Sequence, residues 1–345
     1  MTKINRIFRL MIGVMLVTVI LACNFSQTTP EPEPPTPVPP TSTPPPSPEP
    51  TPEAPPAIEH KDIPVDLPYQ RTSQAGDQDS STTANQKRAP GGDRFTFGRY
   101  ERPFSANTME QYFPELDIIN SIFYEDDDWI YAAITLRAGD KENLLSGTYG
   151  FEIDSDLDGS GEWLILASNP SSTDWSVKGV QVWYDSNGDV GGRVTVGADE
   201  YGNGNGYETL LFDSGQGDDP DLAWVRIAPQ DPTTVQMAVK TLLLKGDKSY
   251  MAGAWAGRDL NPALFDFNDH MTHEQAGAAL IELENFYPIK ELAELDSVCR
   301  VAVGFQPQGN EPGLCVTNPP KKVACPSGQY QCYNFGNQQI CVCVP

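Results

Sequence analysis

Residues 151–162 read FEIDSDLDGSGE, with Asp154, Asp156 and Asp158 at alternate positions, Gly159 directly behind them and Glu162 closing the run. Carboxylates spaced this way converge when the backbone turns sharply, and they repel one another unless a cation sits among them. Asp154, Asp156, Asp158 and Gly159 fall on positions 1, 3, 5 and 6 of an EF-hand loop, and Glu162 falls on position 9. Position 12 is Ile165 instead of the bidentate Glu, and strand-like residues flank the run on both sides, so an EF-hand is excluded. The expectation is a strand-flanked calcium loop with Asp154, Asp156, Asp158, Ser160 and Glu162 as candidate ligands and calcium in a structural role. A polar turn is the alternative, although such a turn needs only one Asp-Gly or Asn-Gly. Asp185-Ser186-Asn187-Gly188-Asp189 is a shorter echo whose Asn-Gly reads as a hairpin turn. Asp213, Asp218, Asp219 and Asp221 read as a solvated acidic loop.

Catalysis and ligand stacking are the two other kinds of chemistry the residues could support. No GxSxG or HExxH occurs, because His273-Glu274 is followed by Gln275-Ala276-Gly277. His270 and His273 lie near Asp266 and Asp269, which reads as a solvated helix start more readily than a metal site, and His60 falls in a linker. No catalytic residue is nominated, and an extracellular hydrolase stands as the second alternative. Trp129 and Tyr131 lie opposite the aliphatic stripe of their strand, while Trp175 and Trp183 share a face of theirs. Aromatic rings on a sheet face can stack on the apolar face of a pyranose, so Trp129, Tyr131, Trp175 and Trp183 are the candidate ligand-binding residues. The competing account is that they pack beneath loops.

The elements that must hold these residues are strands. In WIYAAITL, Ile130, Ala132, Ile134 and Leu136 alternate with Trp129, Tyr131 and Thr135, and GTYGFEID repeats the pattern with Tyr149, Phe151 and Ile153. EWLILA is apolar on both faces, as a central strand is. WSVKGVQVWYD, GGRVTVG, DLAWVRIA, TTVQMAVKTLLL and SYMAGAWAG follow, separated by Gly, Asp, Asn and Pro turns. About eight or nine strands at this spacing predict a mainly β fold, an antiparallel β-sandwich of jelly-roll type. A capping box at Thr272 and Gln275 predicts a helix ended by Pro288, and IKELAELDS a second short one.

The WIYAAITL strand after an acidic turn, and GTYGFEIDSDLDG running into an Asp-rich loop, resemble the sandwiches of family 9 carbohydrate-binding modules and DOMON-like domains over residues 100 to 260. The resemblance implies a binding module with carbohydrate as its ligand class. A structural or protein-interaction component of the cell envelope is the alternative.

Location is written at the N-terminus. MTKINRIFRL carries three cationic residues and MIGVMLVTVI is uninterruptedly apolar, the form of a secretory signal and short for a spanning helix. The run ends in Ile20-Leu21-Ala22-Cys23, which resembles the bacterial lipoprotein box. That resemblance implies removal of residues 1–22, acylation of Cys23 and anchoring on the extracytoplasmic face of a membrane. Residues 23–57 carry a Pro-rich stalk able to span on the order of 80 Å as polyproline II, and 58–98 are expected to be a disordered linker. The sandwich is assigned to 99–298 and a Cys-rich segment to 299–345.

Of the seven cysteines, Cys299, Cys315, Cys325, Cys332, Cys341 and Cys343 remain once Cys23 is acylated. An even set in an exported chain reads as disulfides, with Cys299–Cys315 the favoured pair across a turn-rich insert. The spacing does not suit zinc. The formal charge of −24, which loss of Lys3, Arg6 and Arg9 makes still more negative, excludes nucleic acid as a partner.

Overall fold

The computed structural model describes residues 59–90, 100–106, 109–191, 204–265, 293–308, 311–315, 330–335 and 338–343. The described residues form sixteen strands. They are β1 (Ser73–Gly76), β2 (Glu101–Arg102), β3 (Ile118–Glu125), β4 (Trp129–Leu136), β5 (Thr148–Asp154), β6 (Trp163–Ser168), β7 (Val180–Tyr184) and β8 (Thr209–Asp213). The rest are β9 (Gln216–Gly217), β10 (Ala223–Ala228), β11 (Asp231–Lys240), β12 (Tyr250–Gly257), β13 (Leu295–Ser297), β14 (Val301–Val303), β15 (Tyr330–Phe335) and β16 (Gln338–Cys343). One sheet runs β1-β3-β4-β11-β10. The other runs β2-β13-β12-β5-β6-β7-β8-β9, with β14 also on β12, and β15 and β16 form a hairpin. Every ladder between these strands is antiparallel.

The period-2 pattern decides which residues enter the core. Ile130, Ala132, Ile134 and Leu136 of β4 meet Tyr149, Phe151 and Ile153 of β5 in one buried cluster, joined by Val235, Met237 and Val239 of β11 and Ala252, Ala254 and Ala256 of β12. Apolar residues from both sheets fill the space between them, which makes the fold a β-sandwich. β6 lies between β5 and β7 and is buried on both faces. Ile165 points into the main core, and Leu164 and Leu166 point into a second cluster with Tyr207, Trp255 and Phe265 on the far side of its sheet.

Three boundaries differ from those expected. Residues 59–90 are not a disordered linker: β1 pairs with β3 at the edge of the first sheet, Ala75 enters the core, and His60 packs edge-on against Trp224. Few apolar residues lie in this segment, so it is held by hydrogen bonds, which hydropathy does not report. The sandwich also does not stop at residue 298, because Val301 and Val303 of β14 are core residues. Finally, the end of IKELAELDS is extended. Glu294 has φ 57, and Leu295–Ser297 pair with β12 as β13. The helix expected after Thr272 and the GGRVTVG strand beyond Gly191 lie outside the described residues, as do Cys23, Cys325, His270 and His273. Cys299 and Cys315 form a disulfide with Cα atoms 5.0 Å apart. Cys332 and Cys341 are cross-strand partners in the β15–β16 register, and Cys343 lies opposite Tyr330.

Candidate metal centre

The Asp-rich loop joins β5 to β6. Asp154, the last residue of β5, is fully buried. Its Oδ1 accepts the Leu157 N–H at 2.7 Å and its Oδ2 the Gly159 N–H at 2.9 Å. Asp156 Oδ1 accepts the Asp158 N–H at 3.1 Å, and Asp158 Oδ1 the Ser160 N–H at 2.8 Å. Gly159 has φ 99, a conformation that side chains rarely adopt, which is why glycine stands there. The Glu162 N–H donates to Ile153 O at 2.9 Å, and the Glu162 carboxylate accepts the Ser155 hydroxyl at 2.7 Å. One carboxylate oxygen from each of Asp154, Asp156, Asp158 and Glu162 thus comes within 4.8 Å of the other three. Two ligands of one calcium ion at 2.3–2.6 Å are at most about 5 Å apart, so the group has the right size. A carboxylate oxygen has about two acceptor sites, and one amide bond leaves the other for a metal. Ser160 is buried and its amide serves the loop.

Electrostatics point the same way. Burial pushes Asp154 up to about 7 despite the opposing charge of Arg300, and the charge of Glu162 adds to the rise. Burial also raises Glu162 against its hydrogen bonds from Ser155, with the charges of Asp156 and Asp158 contributing. Both rises come first from burial, and a hard divalent cation would oppose them.

Sequence reasoning missed Arg300, Glu152 and Tyr207. Glu152 and Asp154 share a face of β5, and the buried Arg300 guanidinium reaches both. Its Nε donates to Glu152 Oε1 at 3.0 Å, and its Nη1 donates to Gly159 O at 2.8 Å and lies 3.6 Å from Asp154 Oδ2. Tyr207 donates to Glu152 Oε2 at 3.3 Å. The Cys299–Cys315 disulfide seats Arg300, whose N–H donates to Gly313 O and whose carbonyl accepts the Cys315 N–H at 2.7 Å. The only available signal was an arginine next to a cysteine, which does not say where the side chain goes.

The shorter acidic echo lies beside the loop. Asp185 accepts the Gly188 and Val190 N–H groups at 2.8 and 2.9 Å, and Val190 O accepts the Gly161 N–H at 3.2 Å. After Asn187-Gly188 the chain runs to a bridge between Gly191 and Ser160, while β8 takes the place beside β7. Asp221 is no solvated loop residue. It is buried and accepts N–H groups from Lys61 and Asp62 at 2.8 and 2.9 Å.

The four candidate aromatic residues do not form one platform. Trp129 and Tyr131 are buried on the outer face of the first sheet with Trp224, beneath Leu67 and the half-buried Trp175. Trp175 precedes β7 and sits over Tyr131 at 6.2 Å, where it donates to Val65 O. The Arg226 guanidinium lies 4.4 Å from its ring. Trp183 is half-buried on the outer face of the other sheet, against the Leu164 cluster. Trp175 and Trp183 therefore do not share a face, because the chain crosses to the first sheet at the Ser176–Val225 bridge. Comparison with known proteins finds no matching family model, no matching curated protein and no matching solved structure.

Proposed function

We propose that this protein is a lipid-anchored module displayed on the extracytoplasmic face of a membrane, whose β-sandwich is fixed by calcium and binds an extracellular ligand. The observation that carries the metal reading is the convergence of Asp154, Asp156, Asp158 and Glu162 oxygens within 4.8 Å in one amide-tied loop. All the donors are hard oxygens, which suit calcium. Lys3, Arg6 and Arg9, the apolar run and Cys23 support the anchor, and the prolines that follow support a stand-off stalk. Because only the folded chain assembles the loop, calcium at 100 times its dissociation constant would add about 2.7 kcal/mol of stability. The test is melting in millimolar calcium against excess chelator. Asp156→Ala and Asp158→Ala each remove the loop's share of the calcium-dependent rise, and Asp189→Ala keeps it. Equal melting temperatures for the wild type, with no heat of binding, would return the loop to a polar turn.

The ligand class we propose is carbohydrate, supported by Trp183 and Trp175, whose rings are partly exposed, whereas Trp129 and Tyr131 are buried. A glycan array with the delipidated protein, repeated with Trp183→Ala and Trp175→Ala, decides between this class and an envelope protein partner. Binding that neither substitution weakens moves the ligand elsewhere on the surface, and an array without any binding favours the protein partner.

A further inference from the structure

A second group of acids is assembled from distant parts of the chain. Asp77 follows β1, Glu101 lies in β2, Asp296 in β13, and Asp117 immediately precedes β3. Glu101 and Asp296 are cross-strand partners, and one carboxylate oxygen from each of Asp77, Glu101 and Asp296 lies within 4.8 Å of the other two. Asp117 joins them through its neighbour, since the Ile118 N–H donates to Asp296 Oδ2 at 2.7 Å. Glu101, Asp117 and Asp296 are buried, the last two completely.

The observation that separates this group from a surface acidic patch is Asp296. The residue is wholly enclosed, and its Oδ1 has no hydrogen-bond partner among the described residues. Asp117 Oδ1, equally enclosed, is in the same position, while its Oδ2 accepts the Tyr112 hydroxyl. An enclosed carboxylate oxygen without a donor costs several kcal/mol in general, so such an atom calls for a partner, and a cation is one. We propose that Asp77, Glu101 and Asp296, with Asp117 beside them, bind a second hard divalent cation, calcium, that clamps the 59–90 segment onto both sheets. The donor set is all carboxylate oxygen, and the oxygens are close enough to share one ion.

The charges on these groups agree with the geometry. Burial, then the like charges of Asp296, Asp77 and Asp117, push Glu101 well above the ordinary carboxylate range, and the Ser80 hydroxyl at 2.6 Å offsets only part of this. Burial, then Asp77 and Asp117, do the same to Asp296. Shared protons are the competing way to keep such acids together. They make a different prediction, because an isosteric amide then substitutes freely and calcium has no effect.

The experiment is a calorimetric calcium titration of the chelator-stripped protein, with magnesium as a comparison probe. Wild type is expected to bind two equivalents of calcium, Asp158→Ala one, and Glu101→Gln and Asp296→Asn one each. The double variant Asp158→Ala with Glu101→Gln is expected to bind none. Asp158→Ala alone tests the proposal even if the buried variants fail to fold: one retained equivalent supports it, and none overturns it. Retention of the wild-type count by folded Glu101→Gln or Asp296→Asn also overturns it. If instead wild type binds one equivalent that Glu101→Gln abolishes and Asp158→Ala spares, the second site stands and the Asp154 loop reading falls.

Discussion

The Asp154 loop and the Asp77, Glu101 and Asp296 group solve the same electrostatic problem at opposite ends of a scale of locality. The loop takes its four carboxylates from residues 154–162 and ties them to its own amides, with Arg300 brought in as a partial counter-charge. The second group takes one acid from each of several segments between residues 77 and 296, and the charges bearing most on Glu101 and Asp296 are other carboxylates. A local site survives as a loop without its ion. A nonlocal one exists only when the segments have come together, so its ion, besides stabilising the folded state as the loop's does, also holds distant segments to one another. Calcium removal should therefore loosen the loop locally but detach the 59–90 segment from the sandwich.

Arg300→Met tests that contrast with the largest expected effect, because it leaves the first cluster without its arginine. Removing one partner of a buried ion pair costs about 3–5 kcal/mol in general, since the remaining charges stay buried. That loss is expected in full by urea unfolding in chelator. It should shrink clearly in saturating calcium, where the ion takes over the counter-charge of Asp154. An equal loss in both conditions would mean that Arg300 and the ion do not share a task, and the comparison would fail on that side.

The disulfide gives a somewhat smaller test. Replacing Cys299 and Cys315 by Ser opens a link across a separation of 16 residues, with a cost of about 3 kcal/mol by loop entropy. Because the link seats Arg300, calcium affinity at the Asp154 loop should change several-fold, while the second equivalent is held within about twofold. Calorimetry on the double Ser variant measures both. Loss of the second equivalent as well would show that the two clusters are coupled through β12, which β13 and β14 share.

What could be read in the sequence follows the same division. Ile130, Ala132, Ile134 and Leu136 give away their strand because alternation is a local signal, and the convergence of acids in the Asp154 loop is legible because they are spaced within one turn. Cys299–Cys315 was legible because turn residues fill the gap. Glu101 and Asp296, in contrast, stand opposite each other only through the β2–β13 pairing, and β13 occupies a stretch whose local pattern favours helix. Alternation puts Trp129 and Tyr131 on the face opposite the core stripe, but it carries no information that Leu67 and Trp175 cover that face. The 59–90 segment was missed for a related reason: its composition is that of a linker, and its order comes from partners such as Asp221 far along the chain.

Asp221 provides the smallest and most selective test, because it anchors the start of that segment without belonging to either acidic cluster. Burial alone would raise its carboxyl. The N–H groups of Asp62 and Lys61, with His60 Nδ1 at 2.7 Å, hold it below the ordinary value instead. A depressed folded-state value means that the anchor contributes stability above the unfolded-state value of about 3.9 and loses it as pH falls through the lower folded-state value. Asp221→Asn keeps the shape and removes the charge, so at pH 7 it should cost about 1–2 kcal/mol. That difference should persist to about pH 4, shrink as pH falls further and vanish only below the lower folded-state value, where the wild-type carboxyl is itself neutral. Hydrogen exchange should rise at Lys61 and Asp62 first, and calcium affinity at the Asp77, Glu101 and Asp296 group should fall a few-fold, because its Asp77 arm is less firmly seated. Affinity at the Asp154 loop should not move. If exchange rises at residues 60–62 while both affinities stay at wild-type values, β1 alone suffices to position Asp77, and the clamp is confined to residues 73–77 and their β3 partner.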